Sequence, residues 1–162
     1  MNGIRCGIGY DSHRLAEGRK LVIGGVELDS PRGPVAHSDG DVLSHAIVDA
    51  LLGAANLGDI GRHFPDTDSR WKGASSKIFL EEIGRLLEAR GLRILNIDSV
   101  VVLDEPKLGP HIPAMAQNLA AWLGIDPAQV SVKAKTTEGA APLLAAAHAI
   151  TLVASSEHES ID

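Results

Sequence analysis

The feature that most constrains the fold is a change of hydrophobic period within the first third of the chain. Ile4, Cys6, Ile8 and Tyr10 alternate with small or polar residues, the period-two signature of a half-buried strand that runs out at Asp11. Between residues 41 and 57 apolar side chains recur instead at Leu43, Ala46, Ile47, Ala50, Leu51 and Ala54, the stripe of an amphipathic helix. A strand and a helix with one apolar side each must be covered by another layer, which points to a mixed α/β arrangement.

The remaining segments extend that pattern. Leu21-Val22-Ile23 and Val26-Glu27-Leu28, separated by Gly24-Gly25, read as a second strand broken by a bulge or tight turn. Residues 29–33, with Pro31 inside and Pro34 just beyond, read as a loop. Ser38 or Asp39 is placed to cap the helix of residues 41–57, and Gly58 to end it. A second helix spans 75–90, with Ile78, Ile83, Leu86 and Leu87 facing inward and Gly91 closing it. Residues 97–103 form a strand whose Val100-Val101-Val102 run implies burial on both faces. After a loop at 105–110 come a third helix at 112–123, stopped by Gly124, and strands at 130–134 and 149–154. Residues 155–162 read as a frayed tail. The expectation is one catalytic domain over residues 1–162, α/β of the α+β type, with a mixed four- or five-stranded sheet and three helices packed on it.

At 162 residues the chain can bury a core without staples. Lys and Arg number 15 against 21 Asp and Glu, a formal net charge of -6, and aromatic residues make up 3%, which argues against a nucleic-acid surface. Cys6 is the only cysteine, so no intrachain disulfide can form, and a buried strand position is expected for it. Neither a secretory signal nor an apolar run of spanning length is present, which leads to the expectation of a cytoplasmic protein with no membrane contact.

Chemistry concentrates in two strings. Asp11-Ser12-His13 places a carboxylate and an imidazole two residues apart, on one side of a strand. His37-Ser38-Asp39-Gly40-Asp41 leads into a helix bearing His45 and, four residues on, Asp49, which shares its face and can orient the imidazole. Asp11, His13 and His45 would leave one corner of a zinc tetrahedron open, the arrangement of catalytic rather than structural zinc. His37 sits before the helix start, where free N–H groups favour an anion. Ser38, Asp39 and Asp41 are also ordinary helix-start residues, and capping is the better reading for Asp39. Residues 59–73, charged and rich in turn formers, read as a mobile lid. Lys133-Ala134-Lys135-Thr136-Thr137-Glu138 ends a strand with hydroxyls and a carboxylate that can cradle a diphosphate with magnesium, although the string alone reads equally as a solvated turn. His63, His111, His148 and His158 lack partner spacing and are assigned surface or structural roles.

With these residues in place, the chain resembles the 2-C-methyl-D-erythritol 2,4-cyclodiphosphate synthases of the non-mevalonate isoprenoid pathway. The resemblance rests on Gly9-Tyr10-Asp11-Ser12-His13, Ile23-Gly24-Gly25-Val26, His37-Ser38-Asp39-Gly40-Asp41 with His45, Asp49-Ala50-Leu51-Leu52-Gly53-Ala54, Leu57-Gly58-Asp59-Ile60-Gly61, Phe64-Pro65-Asp66-Thr67-Asp68, Pro106-Lys107-Leu108, Pro110-His111-Ile112 and the 133–138 string. It implies a cyclising lyase that converts 4-diphosphocytidyl-2-C-methyl-D-erythritol 2-phosphate to the cyclodiphosphate and CMP. It further implies zinc on Asp11, His13 and His45, magnesium or manganese on Glu138, and His37 and Thr136 as catalytic residues. Ser38 would orient the β-phosphate. The cytosine would lie against Leu103, Asp104, Glu105, Pro106, Lys107, Leu108 and Gly109 with Lys135 and Thr136, and Thr137 would also bind substrate. The ribose and methylerythritol would meet Asp59, Ile60, Gly61, Phe64, Pro65, Asp66, Thr67 and Asp68. Members are homotrimers with sites at subunit interfaces.

One stretch departs from the family pattern: Gly139-Ala140-Ala141-Pro142-Leu143-Leu144 lacks the arginine implied for holding an isoprenoid diphosphate in the trimer channel. Two other classes fit the metal residues alone. A zinc hydrolase would need Asp41, Asp49 or Glu138 as general base, and a non-catalytic ligand-binding module would keep zinc as a structural clip.

Overall fold

The alternation that opens the sequence becomes β1 (Ile4–Glu17), a strand long enough to carry Asp11 in its middle rather than at its end. In this computed structural model residues 3–156 are described. Next come a small hairpin, β2 (Leu21–Ile23) and β3 (Val26–Leu28), turning at Gly24 and Gly25, and then β4 (Arg32–Pro34). The expected loop around residues 29–33 is thus partly a strand, paired antiparallel to β1 at the sheet edge, where a proline is tolerated. The helices are α1 (Val42–Ala55), α2 (Ile60–His63), α3 (Ser76–Ala89) and α4 (Ile112–Leu123), and the later strands β5 (Leu92–Leu103), β6 (Val130–Lys135) and β7 (Leu144–Ser155).

Five strands form one mixed sheet in the order β4-β1-β7-β5-β6, with only β5 and β6 parallel. Both β5 and β7 begin earlier than the apolar runs implied, because they pair with each other along almost their whole length. Along β5, Ile97, Val101 and Leu103 are buried while Val100 and Val102 are half-buried, so the strand is one-sided rather than covered on both faces. Ser155 closes β7, and Ser156 donates its N–H to Gly91 O at 2.7 Å. The rest of the expected tail, residues 157–162 with His158, lies outside the described residues.

The apolar alternation of β1 points away from the core. Ile4, Ile8 and Tyr10 are 69, 72 and 51% exposed, and Cys6 is exposed as well, against the expectation of burial. The buried face is the glycine face. A Cβ on Gly7 would stand 1.8 Å from Ala50 O, and one on Gly9 1.9 Å from Ala46 O, so α1 rests directly on the backbone of β1. Ala147 and Ala149 on β7, facing the same way, are fully buried and equally small. Seated that low and packed by α3, α1 buries not only its stripe but also Val42, Val48 and Leu52.

The caps differ from the local signals. Asp41 caps α1, not Ser38 or Asp39: its carboxylate accepts from the Ser44 N–H (3.0 Å) and hydroxyl (2.8 Å) and from the N–H groups of Gly24 and Gly25 (2.9 Å each). Asn56, left-handed at φ 57°, ends α1 before Gly58 is reached. Ser75 caps α3, whose inner face is Phe79, Leu80, Ile83 and Leu87, while Ile78 is 48% exposed and Leu86 only partly covered. Gly124 ends α4 as expected.

Gly9→Ala is expected to lower the unfolding free energy in urea by about 2–3 kcal/mol, because backbone rather than a flexible side chain meets the new methyl. Gly109→Ala, with open space around it, should change it by less than about 0.5 kcal/mol. Equal effects would contradict the direct seating of α1 on β1.

Candidate active site

Asp11 and His13 continue the glycine face of β1, so the contact that seats α1 brings them level with His45 near the helix start. Asp11 Oδ2 lies 3.0 Å from His45 Nδ1 and 3.1 Å from His13 Nε2, and one ligand atom from each residue lies within 4.8 Å of the others. His13 Nε2 is buried without a hydrogen bond: its approach to Asp11 has the distance of one but not the angles. A buried ring nitrogen with no partner is costly unless something else binds it. A carboxylate and two imidazoles form a donor set that suits a transition-metal ion with one corner left for a ligand. These three residues can therefore hold a metal.

Charge supports the same point. Burial opposes ionisation of Asp11, but the imidazoles of His13 and His45 hold its carboxyl well below the usual carboxylate range. Burial also opposes a charge on His45, yet Asp11, with Asp41 and Asp39 behind it, holds its pKa above that of a free histidine. On the far side of the ring, His45 Nε2 lies 2.9 Å from Ser76 Oγ and 3.3 Å from Ser38 Oγ.

Asp49 does not orient that ring. It accepts the Ile60 N–H at 2.7 Å and fastens the start of α2 to α1, while both ring nitrogens of His45 face other groups. His37 is exposed, and its carbonyl accepts from Gly73 N–H at 2.9 Å. The 59–73 segment is more structured than a long loop: it carries α2, holding Ile60 and Gly61, and a 3-10 turn at Ser69–Trp71. Asp59 caps α2, and Asp68 caps the 3-10 turn while both its oxygens accept from the Arg70 guanidinium. Phe64, just before Pro65, Asp66 and Thr67, packs its ring 4.5 Å from Phe79 and edge-on to Trp71 at 5.3 Å.

The second chemical string lies elsewhere. Because β5 and β6 run parallel in register, with Val102 beside Lys135, their C-terminal ends bring Leu103 and Asp104 next to Thr136 and Thr137, the place where parallel sheets bind ligands. Thr137 donates its N–H (2.6 Å) and hydroxyl (2.7 Å) to Asp104, which lowers that carboxyl's pKa. The Thr136 hydroxyl donates to Glu138 Oε1 at 2.6 Å. A cleft of about 730 Å³ opens here between Asp104, Glu105, Pro106, Lys107, Thr136 and Glu138, with Arg32 and Pro142 also in its walls. Leu108 is buried beside it, Gly109 opens a 3-10 turn, and Lys135 is exposed. Asp11, His13, His45 and the 59–73 segment are not among the residues lining that cleft.

Several contributors escaped the sequence reading. Asp39 and Ser76 contact each other and, through Ser76, the ring of His45; the available signal was a double serine at a helix start that needs only one cap. Trp71 and Phe79 frame Phe64, and Arg32 reaches the cleft from an unforeseen strand. Among the described residues, His63 donates to Leu57 O at 2.9 Å, His111 precedes α4, and exposed His148 packs against Tyr10 with ring centroids 4.7 Å apart. No helix among the described residues is long and apolar enough to cross a membrane.

Comparison with known proteins identifies the family. The family model described as the YgbB family matches residues 4–154. The 2-C-methyl-D-erythritol 2,4-cyclodiphosphate synthase of Syntrophomonas wolfei is 58% identical over 136 residues, which cover 84% of this chain and 87% of that protein. The synthase of Gloeobacter violaceus is 53% identical over 154 residues, 93% of this chain and 94% of its own. Among solved structures, a synthase of this name in its CDP-bound form superposes with a TM-score of 0.87 at 49% identity, covering 92% of this chain and 99% of that one. IspF from Plasmodium falciparum, in complex with CDP, does so at 0.84 and 34%, over 97% and 99%. The chain belongs to the YgbB family, that of the 2-C-methyl-D-erythritol 2,4-cyclodiphosphate synthases.

Proposed function

We propose that the chain acts on 4-diphosphocytidyl-2-C-methyl-D-erythritol 2-phosphate, releasing CMP and closing the eight-membered cyclodiphosphate ring. The observation that carries this reading is the convergence of Asp11, His13 Nε2 and His45 Nδ1 on one point, with the ring nitrogen of His13 buried and unpartnered. In the reaction an oxygen of the 2-phosphate bonds to the β-phosphorus, and the bond from that phosphorus to the bridging oxygen breaks. CMP departs with the bridging oxygen and its electron pair. The attacking oxygen is already ionised, so the protein's task is to position the phosphates and neutralise charge.

Each residue has a place in that task. Asp11, His13 and His45 would hold a zinc ion, which would supply positive charge beside the phosphates. His37 and Thr136 contact the transferring phosphates, Ser38 orients the β-phosphate, and Glu138 takes a magnesium or manganese ion. The cytosine lies in the cleft of Asp104 to Lys107, consistent with the CDP complexes of related proteins. The sugar and methylerythritol lie against residues 59–68.

Because the metal residues do not line the cleft, the reading joins two chains at each site. The exposed apolar sheet face of Ile4, Ile8, Tyr10 and Ile150 supports a homotrimer in which each site joins the metal half of one subunit to the cleft of its neighbour. The reading places this trimer in the cytoplasm. Hydrolysis is the weaker alternative, since its candidate bases are committed elsewhere: Asp41 is buried under four hydrogen bonds, Asp49 holds Ile60, and Glu138 belongs to the cleft.

Phosphorus NMR of the turnover is expected to show CMP and cyclodiphosphate in equal amounts, with no labelled solvent oxygen in either; inorganic phosphate or label uptake would sink the cyclisation. His13→Ala should cut turnover by at least about 100-fold while thermal unfolding stays close to that of the wild type, whereas an unfolded variant would favour the structural-clip alternative. When inactive His13→Ala and inactive Thr136→Ala chains are co-assembled in equal amounts, about a quarter of wild-type activity should return, because that share of interfaces pairs two intact halves. No recovery would place the whole site within one chain.

A further inference from the structure

We infer that Asp39 and Ser76 are positioning residues that fix the proton of His45 on Nε2 and so turn the Nδ1 lone pair toward the metal position. This inference rests on the proposed metal site. Ser76 is fully buried, and its Oγ lies 2.5 Å from Asp39 Oδ1 and 2.9 Å from His45 Nε2. A carboxylate only accepts, so the single hydroxyl proton goes to Asp39 and leaves Oγ as an acceptor. His45 must then donate from Nε2. In a neutral ring that leaves Nδ1 bare, and Nδ1 is the nitrogen facing Asp11 Oδ2 at 3.0 Å.

The carboxylate is itself fixed from several directions. Asp39 Oδ2 accepts the Ser76 N–H at 2.7 Å, Oδ1 accepts the Asp41 N–H at 3.1 Å, and the Asp39 N–H donates to Ala74 O at 3.1 Å. Behind the ring, Phe79 packs with centroids 6.0 Å apart and limits its rotation. A histidine ligand commonly needs such an outer partner to set its tautomer and raise its basicity. Helix capping alone does not account for the pair, because Ser75 already caps α3 by accepting the Lys77 N–H. The Asp39 N–H bond to Ala74 O, beside the Gly73 N–H bond to His37 O, ties this support to the end of the 59–73 segment.

Zinc affinity, measured by competition with a chromophoric chelator, separates positioning from capping. Ser76→Ala and Asp39→Asn are each expected to weaken zinc binding about 10–100-fold, and the double variant should lose no more than the worse single one. Ser75→Ala, which removes the neighbouring cap, should bind zinc as the wild type does. Ser76→Ala keeps the backbone bond to Asp39, so it tests the bridge even if Asp39→Asn fails to fold. In nitrogen-15 spectra of the zinc-loaded wild type, the His45 Nε2–H should be protected from solvent exchange, and in Ser76→Ala that protection should vanish. Zinc binding by Ser76→Ala equal to the wild type overturns the inference alone. A wild-type protein that binds no zinc, or an Asp11→Ala variant that binds it undiminished, overturns the metal reading and this inference with it.

Discussion

Two backbone contacts between β1 and α1 set the distance on which the site depends. With only hydrogens at Gly7 and Gly9, the strand passes directly under the carbonyls of Ala50 and Ala46. The next residues on that strand face are Asp11 and His13, and the residue before Ala46 is His45. A side chain at either glycine would lift the helix and part the ligands, so strand chemistry and helix chemistry meet because nothing lies between the backbones. Ala147 and Ala149 on the neighbouring strand extend the same low seat.

Four aspartates surround this seat, and hydrogen bonds sort their roles. Asp41 accepts from three backbone N–H groups and a hydroxyl and ties the β2–β3 turn to the helix start. Asp39 accepts from two backbone N–H groups and the Ser76 hydroxyl, and Asp49 from the Ile60 N–H. Asp11 alone among them has only imidazoles as neighbours, with no backbone donor. A carboxylate held by backbone amides is spent on structure, whereas one facing only ring nitrogens remains available to a cation.

Much of this was legible in the sequence, and the failures have physical reasons. The helices at 41–57 and 112–123 carry local signals, a stripe and a left-handed cap, that need no knowledge of the rest of the chain. The period of β1 was equally plain, but period does not say which face is inside: the apolar residues face outward and the glycines inward. Asp11 and His13 are legible because two-residue spacing on a strand places side chains together whatever else happens, whereas His45 joins them from α1 through a contact that spacing does not show. Asp49 was misassigned because four-residue spacing gives a shared helix face, not a contact. Asp39 and Ser76 meet across 37 positions and left no periodic trace, and a long polar stretch concealed α2 and the packing of Phe64 on Phe79.

Anomalous diffraction at the zinc edge, from crystals grown with zinc and CDP, would locate the metal relative to these three side chains, Asp11, His13 and His45. One strong peak per chain is expected about 2.0–2.2 Å from Asp11 Oδ2, His13 Nε2 and His45 Nδ1, with a phosphate oxygen or water as the fourth ligand. A peak elsewhere, or a centre closed by a fourth protein ligand, would contradict this placement.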